Sequence, residues 1–118
     1  MRLVEQRENI NELLGQASCF LSCSRAETFS YAIAEAALYG LSIIMSDIPG
    51  TAWAKKMNSV ETFESENADE LAEKMMDFIN KNKINKKDLE QSREHILENY
   101  TTDIWGDKII SYYNELLK

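Results

Sequence analysis

Apolar residues fall along the chain in short clusters whose spacing switches from helical to extended and back. Within 6–15, Ile10, Leu13 and Leu14 recur at helical intervals. Gly15, able to take the left-handed cap conformation, follows them, so a short helix is expected. Residues 18–23 form a small apolar run that predicts a strand, 24–28 a polar loop, and the alanine-rich 29–39, closed by Gly40, a second helix. The apolar run 41–45 predicts another strand, ending where Ser46, Asp47 and Ile48 lead into Pro49 and Gly50, a pair that forces a turn. Residues 60–63 read as a weaker third strand. Asn67 or Asp69 then N-caps a helix over 70–80 with Leu71, Met75, Phe78 and Ile79 on one stripe. A charged linker, 81–85, precedes two further helices, 86–100 and 103–117, the latter carrying Ile104, Trp105, Ile109, Ile110, Tyr113 and Leu116.

Strands that alternate with helices, and lie too far apart for hairpins, indicate parallel crossovers in an open sheet. The fold class is α/β: a partial, Rossmann-like parallel sheet of about three strands with flanking helices. No repeat or low-complexity tract interrupts it.

Composition narrows the function classes. A chain of 118 residues accommodates one domain with a modest core, and 44% hydrophobic against 28% charged residues is the balance of an ordinary globular domain. No apolar run approaches the roughly 20 residues that span a bilayer, and the N-terminus does not read as a signal peptide, so no membrane insertion is expected. Thirteen basic against twenty acidic side chains give a net charge of −7, which disfavours nucleic acid or an anionic membrane as partner. Cys19 and Cys23 sit in the first strand, where four residues span about 13 Å, too far for a disulfide between them; a reducing, cytoplasmic setting is expected. With the one histidine, His95, far away in a charged helix, neither metal nor other cofactor is expected. His95 itself reads as an exposed helix residue.

The chemistry concentrates in two carboxylates. From Thr28 to Ser46 the one group ionised at neutral pH is Glu35, set between Ala34 and Ala36 in a helix apolar nearly all round and therefore expected to be buried. A buried carboxylate costs several kcal/mol unless paired, so Glu35 requires a ligand offering hydroxyls, or else a helix-end path to solvent or a salt bridge to Arg25 or a lysine. Glu27 lies eight residues earlier, in the loop before that helix; a continuous helix would part them by about 12 Å, too far for a tight acid/base pair. The spacing suits instead two separated hydroxyl groups of one elongated ligand, with the free amides at 29–32 facing an anionic centre between them. A nucleotide sugar has that layout. Glu90 and Glu98 share the spacing, but in a helix charged enough to read as solvated. Tyr31, Tyr39, Trp53 and Trp105 read as core or interface aromatics, Lys55 and Lys56 as surface lysines.

The stretch "SCSRAETFSYAIAEAALYGLSIIMSDIPG" resembles the E-x7-E region of retaining glycosyltransferases of the GT-B fold, the large family four group. Ser24, Glu27, Phe29, Glu35, Ala36, Gly40 and Gly50 match its pattern. "RENINELLGQASCFL", "ADELAEKMMDFI" and "TTDIW" are similar to flanking parts of the same domain, so the likeness covers almost the whole chain. The resemblance implies that Glu35 hydrogen-bonds the ribose hydroxyls of a UDP- or GDP-sugar donor. Glu27, the catalytic candidate, would hold the hydroxyls of the transferred sugar, and the amides of Thr28, Phe29 and Ser30 would face the sugar and pyrophosphate. Thr28 and Ser30 stand where the family most often has glycine, which leaves backbone approach to the donor less free. Pro49 and Gly50 replace paired glycines, and Trp53 lies near a position often acidic.

By the same resemblance, residues 1–118 are part of the C-terminal, nucleotide-sugar-binding domain of a two-domain enzyme of polysaccharide or glycoconjugate synthesis. The N-terminal acceptor domain and the basic pair that binds donor phosphates are absent. Such a segment alone is expected to catalyse no transfer and to bind UDP weakly. Its first strand would expose an apolar edge, a route to self-association. A non-catalytic binding module of the same fold is the alternative, with a GT-B epimerase or phosphorylase a third reading.

Overall fold

The computed structural model describes residues 10–81, 85–100, 110–111 and 114–115. Helix α1 (Ile10–Gln16) leads into strand β1 (Cys19–Ser22), helix α2 (Tyr31–Leu38) and strand β2 (Ser42–Asp47). A 3-10 segment (Pro49–Lys56), strand β3 (Val60–Glu64), helix α3 (Ala68–Lys81) and helix α4 (Lys86–Asn99) follow. All three predicted strands form, in a parallel sheet of order β1-β2-β3. The helix expected over 103–117 falls outside the described residues except at 110–111 and 114–115, which are helical. Residues 6–9 of the first helix, Trp105 and the linker residues 82–84 also lie outside them.

Parallel pairing sets which side chains share a face. Cys19 stands opposite Ser42 and Ser22 opposite Met45; Ile43 stands opposite Val60 and Asp47 opposite Glu64. Side chains alternate along each strand. Ile43 and Met45 therefore point to the side where Leu14, Ile33, Ala36, Ala37 and Ile96 complete the main core, with Phe20 and Val60 packed against it. Ile44, Ser46 and Phe63 point the other way and are just as buried, beneath a layer to which α3 belongs. The fully buried Ile33, Ile43 and Met45 each contribute on the order of 1.5–3 kcal/mol by leaving water.

Helix α2 corrects the expectation of burial all round. Ile33, Ala34, Ala36 and Ala37 are buried, but Tyr31, Ala32, Glu35 and Tyr39 form an exposed stripe, Tyr31 at 70%. The small residues that made the helix look uniformly apolar serve close packing on one side; Ala32 on the other side is merely tolerated. Two other readings also change. The turn at Pro49 continues into a 3-10 helix, because Thr51 returns its hydroxyl to the preceding backbone. His95 is half-buried against Tyr100, its Nδ1 3.4 Å from the Asn99 amide and its Nε2 enclosed with no partner among the described residues. Helix α4 packs on α2 there, so the helix read as solvated is so on one side, where Glu90 and Glu98 lie exposed.

Candidate active site

Open parallel sheets bind ligands beyond the carboxyl ends of their strands, because loops there are free to vary over a rigid base. The loop leaving β1 carries Ser24, Glu27, Thr28 and Phe29 before Ser30 opens α2. The loop leaving β2 carries Asp47, Ile48, Pro49 and Gly50. One buried hydroxyl ties the two loops together and a second braces the loop after β2. Ser46 at the end of β2, 1% exposed, donates 2.6 Å to the Ser24 carbonyl. The wholly buried Thr51 hydroxyl donates 2.9 Å to the Ser46 carbonyl, with that of Ile48 at 3.1 Å, and accepts from the Ile48 amide at 3.4 Å. Gly50 closes the contact: a β-carbon there would overlap the Glu27 carbonyl oxygen and lie 2.5 Å from its carbonyl carbon.

Each predicted site residue has a definite place on this base. Glu27 is exposed, and its carboxylate accepts a 2.9 Å bond from the Ser24 hydroxyl. Thr28 is exposed. Phe29 turns its ring inward, stacked on Trp53 at 4.4 Å and 18° and tilted against Tyr100 at 5.4 Å, so this residue offers the outside its backbone. Ser30 is buried and spends its hydroxyl on the Ile33 amide as the N-cap of α2. Glu35 lies one turn beyond Tyr31 on the exposed stripe, its carboxylate without a hydrogen bond or ion pair among the described residues. The requirement for a partner that followed from its expected burial therefore lapses. Arg25, one partner considered for it, is paired across the end of the sheet with Glu66 at 2.9 Å, and Lys55 is paired with Asp47. Both pairs are substantially exposed, a setting in which such pairs contribute about 0–1 kcal/mol.

The two departures from glycine carry no backbone strain. Among the described residues, positive φ occurs at Gly40 and Glu66 and at neither Thr28 nor Ser30, and Ser30 has φ −93° and ψ 101°. With the Ser30 side chain turned inward, the atoms added at the surface are those of Thr28.

Residues 3–96 match the family described as glycosyl transferases group 1. The chain belongs to that family. The match spans β1, β2, β3 and both linked loops. No curated protein matches the chain.

A separate cavity lies away from these loops. A cavity of about 320 Å³ sits near the amino ends of β2 and β3, lined by Ser42, Ile44, Glu61, Asp77, Phe78 and Leu89 among others. It shares no residue with the linked loops. Neither a helix long and apolar enough to cross a membrane nor a group of side chains able to hold a metal ion occurs among the described residues. Cys19 and Cys23 are both free. The hydroxyl links of Ser46 and Thr51 carry no signal in the sequence, since serine and threonine occur throughout it and the partners of these two are backbone atoms.

Proposed function

We propose that this chain provides the sugar-nucleotide side of a retaining glycosyl transfer, in which a UDP- or GDP-sugar gives its sugar to a polysaccharide or glycoconjugate acceptor in the cytoplasm. The reading rests chiefly on one observation: the Glu27 loop is clamped onto the end of the neighbouring strand through Ser46 and Gly50. A rigid base of this kind suits a group that must meet one part of a ligand repeatedly in one geometry. Glu27 would hold the transferred sugar by its hydroxyls, Glu35 the ribose, and the amides of Thr28, Phe29 and Ser30 would face the diphosphate between them.

The chain is in this reading part of the C-terminal, donor-binding domain, with the acceptor held by a separate N-terminal domain. The outer edge of β1, unpaired among the described residues, would receive the remaining strands of the donor sheet, or a second copy where it is left bare. By the resemblance, the charge that stabilises the leaving diphosphate would come from a basic pair outside these residues. The chain alone would then transfer no sugar. In the intact enzyme, Glu27→Gln should lower kcat/KM at least 100-fold for the sugar nucleotide used, measured with UDP-glucose and GDP-mannose as first probes. Full activity of that variant would remove Glu27 from the site.

A further inference from the structure

We infer that Ser24 is a positioning residue that aims the Glu27 carboxylate, and that Ser46 fixes Ser24 for the task; the inference rests on the reading of Glu27 as the sugar-holding group. Ser24 is held at two points. Its carbonyl accepts the 2.6 Å bond from the buried Ser46 hydroxyl, and its own hydroxyl donates 2.9 Å to Oε1 of Glu27. Between these contacts the backbone is limited by Gly50, whose α-carbon faces the Glu27 carbonyl too closely for any side chain. The path from β2 to the carboxylate is therefore continuous: Ser46 hydroxyl, Ser24 backbone, Ser24 hydroxyl, Glu27.

The device answers a specific physical need. A glutamate side chain has three rotatable bonds, and an exposed one samples several staggered states. Holding such a group for a ligand costs entropy on binding unless the protein has already restricted it. Ser24 occupies one of the oxygens, leaving the other, with the remaining lone pairs, to accept hydroxyls. Nothing else among the described residues donates to that carboxylate. The Ser46 bond extends the restriction to the loop, because a shift of the Ser24 backbone would uncouple a hydroxyl that is almost wholly out of water.

The test compares ligands that differ in the sugar alone. In the intact enzyme, affinities are measured for UDP-glucose against UDP and for GDP-mannose against GDP, in the unaltered protein and in Ser24→Ala, Ser24→Thr, Ser46→Ala and Glu27→Gln. Ser24→Ala should weaken the sugar nucleotide about five- to tenfold and leave the nucleoside diphosphate unchanged, and Ser24→Thr, which keeps a hydroxyl, should restore at least half of the loss. Ser46→Ala should show the same pattern, smaller. A general collapse of the loop would weaken both ligands of a pair equally, and that outcome overturns the inference. If Glu27→Gln loses the preference for the sugar nucleotide while Ser24→Ala keeps it, the positioning role fails and the reading of Glu27 stands. If the unaltered enzyme prefers the sugar nucleotide in neither pair, or Glu27→Gln changes nothing, both fail.

Discussion

Gly50 lies against the peptide of Glu27 so closely that a methyl group at residue 50 has no room. The φ of Gly50 is not in the left-handed region, so the requirement is one of space and not of backbone freedom. Gly50→Ala must therefore push the Glu27 loop away from β2. The obstacle is backbone and cannot swing aside. We expect a loss of about 1–3 kcal/mol in folding stability, the usual cost of overpacking, read by urea denaturation. Activity of the intact enzyme should fall with it. A variant as stable as the parent would mean that the loop yields without cost and is no fixed base.

Glu35 separates the two kinds of effect. It is exposed and unpartnered among the described residues, so Glu35→Gln should change stability by less than about 0.5 kcal/mol. Nucleotide affinity in the intact enzyme should nevertheless fall about tenfold, because a carboxylate accepts from ribose hydroxyls more strongly than an amide oxygen does. Calorimetric titration with UDP and GDP checks this, and unchanged affinity would remove Glu35 from the ribose site.

The order of strands and helices was legible because it is written in local periodicity and in breakers such as Gly40 and Pro49. The exposure of Glu35 is hard to read from the sequence for a physical reason: alanine fits both a packed interface and an exposed turn, so a run such as Ala32, Ala34, Ala36 and Ala37 conceals which side faces the sheet, and the path to solvent is the alternative that fits. The two candidate carboxylates, Glu27 and Glu35, stand out by spacing and resemblance. Their supports do not. Ser46 reaches the Ser24 carbonyl across 22 positions, and Ser59 meets the Ser92 hydroxyl across 33, with no pattern in either local sequence to announce the partner. His95 was read from its charged neighbours, and only the packing of α4 on α2 encloses its ring.

The two cysteines should differ in reactivity. Burial pushes the Cys19 thiol up, and the negative charge of Glu61 in β3 adds to the effect against a weaker opposing hydrogen bond from the Phe20 backbone. Cys23 is exposed at the end of β1. Since the thiolate is the nucleophile, iodoacetamide at pH 8 should label Cys23 several-fold faster than Cys19, as followed by peptide mass spectrometry. The sign for stability follows from the same raised value. The folded chain holds the Cys19 proton more tightly than the unfolded one, so this contribution is complete below the ordinary thiol range and declines as pH rises through it. Equal labelling rates would show that Cys19 is not sheltered.

Thr51 offers the sharpest test of the buried hydroxyl links. It is wholly enclosed, and its oxygen serves the Ser46 carbonyl, the Ile48 carbonyl and the Ile48 amide at 2.9, 3.1 and 3.4 Å. Thr51→Val keeps the shape and removes those bonds, so the loss comes from polar backbone left without its partner and not from a cavity. A stranded buried acceptor costs about 1–3 kcal/mol. Thr51→Ser keeps the hydroxyl and loses one methyl group, a change of about 1 kcal/mol with a small residual cavity. Valine should therefore destabilise more than serine, although it is the closer match in volume. The reverse order in thermal or urea unfolding would show that Thr51 acts there as a packing residue, and that the segment after β2 is held by shape alone.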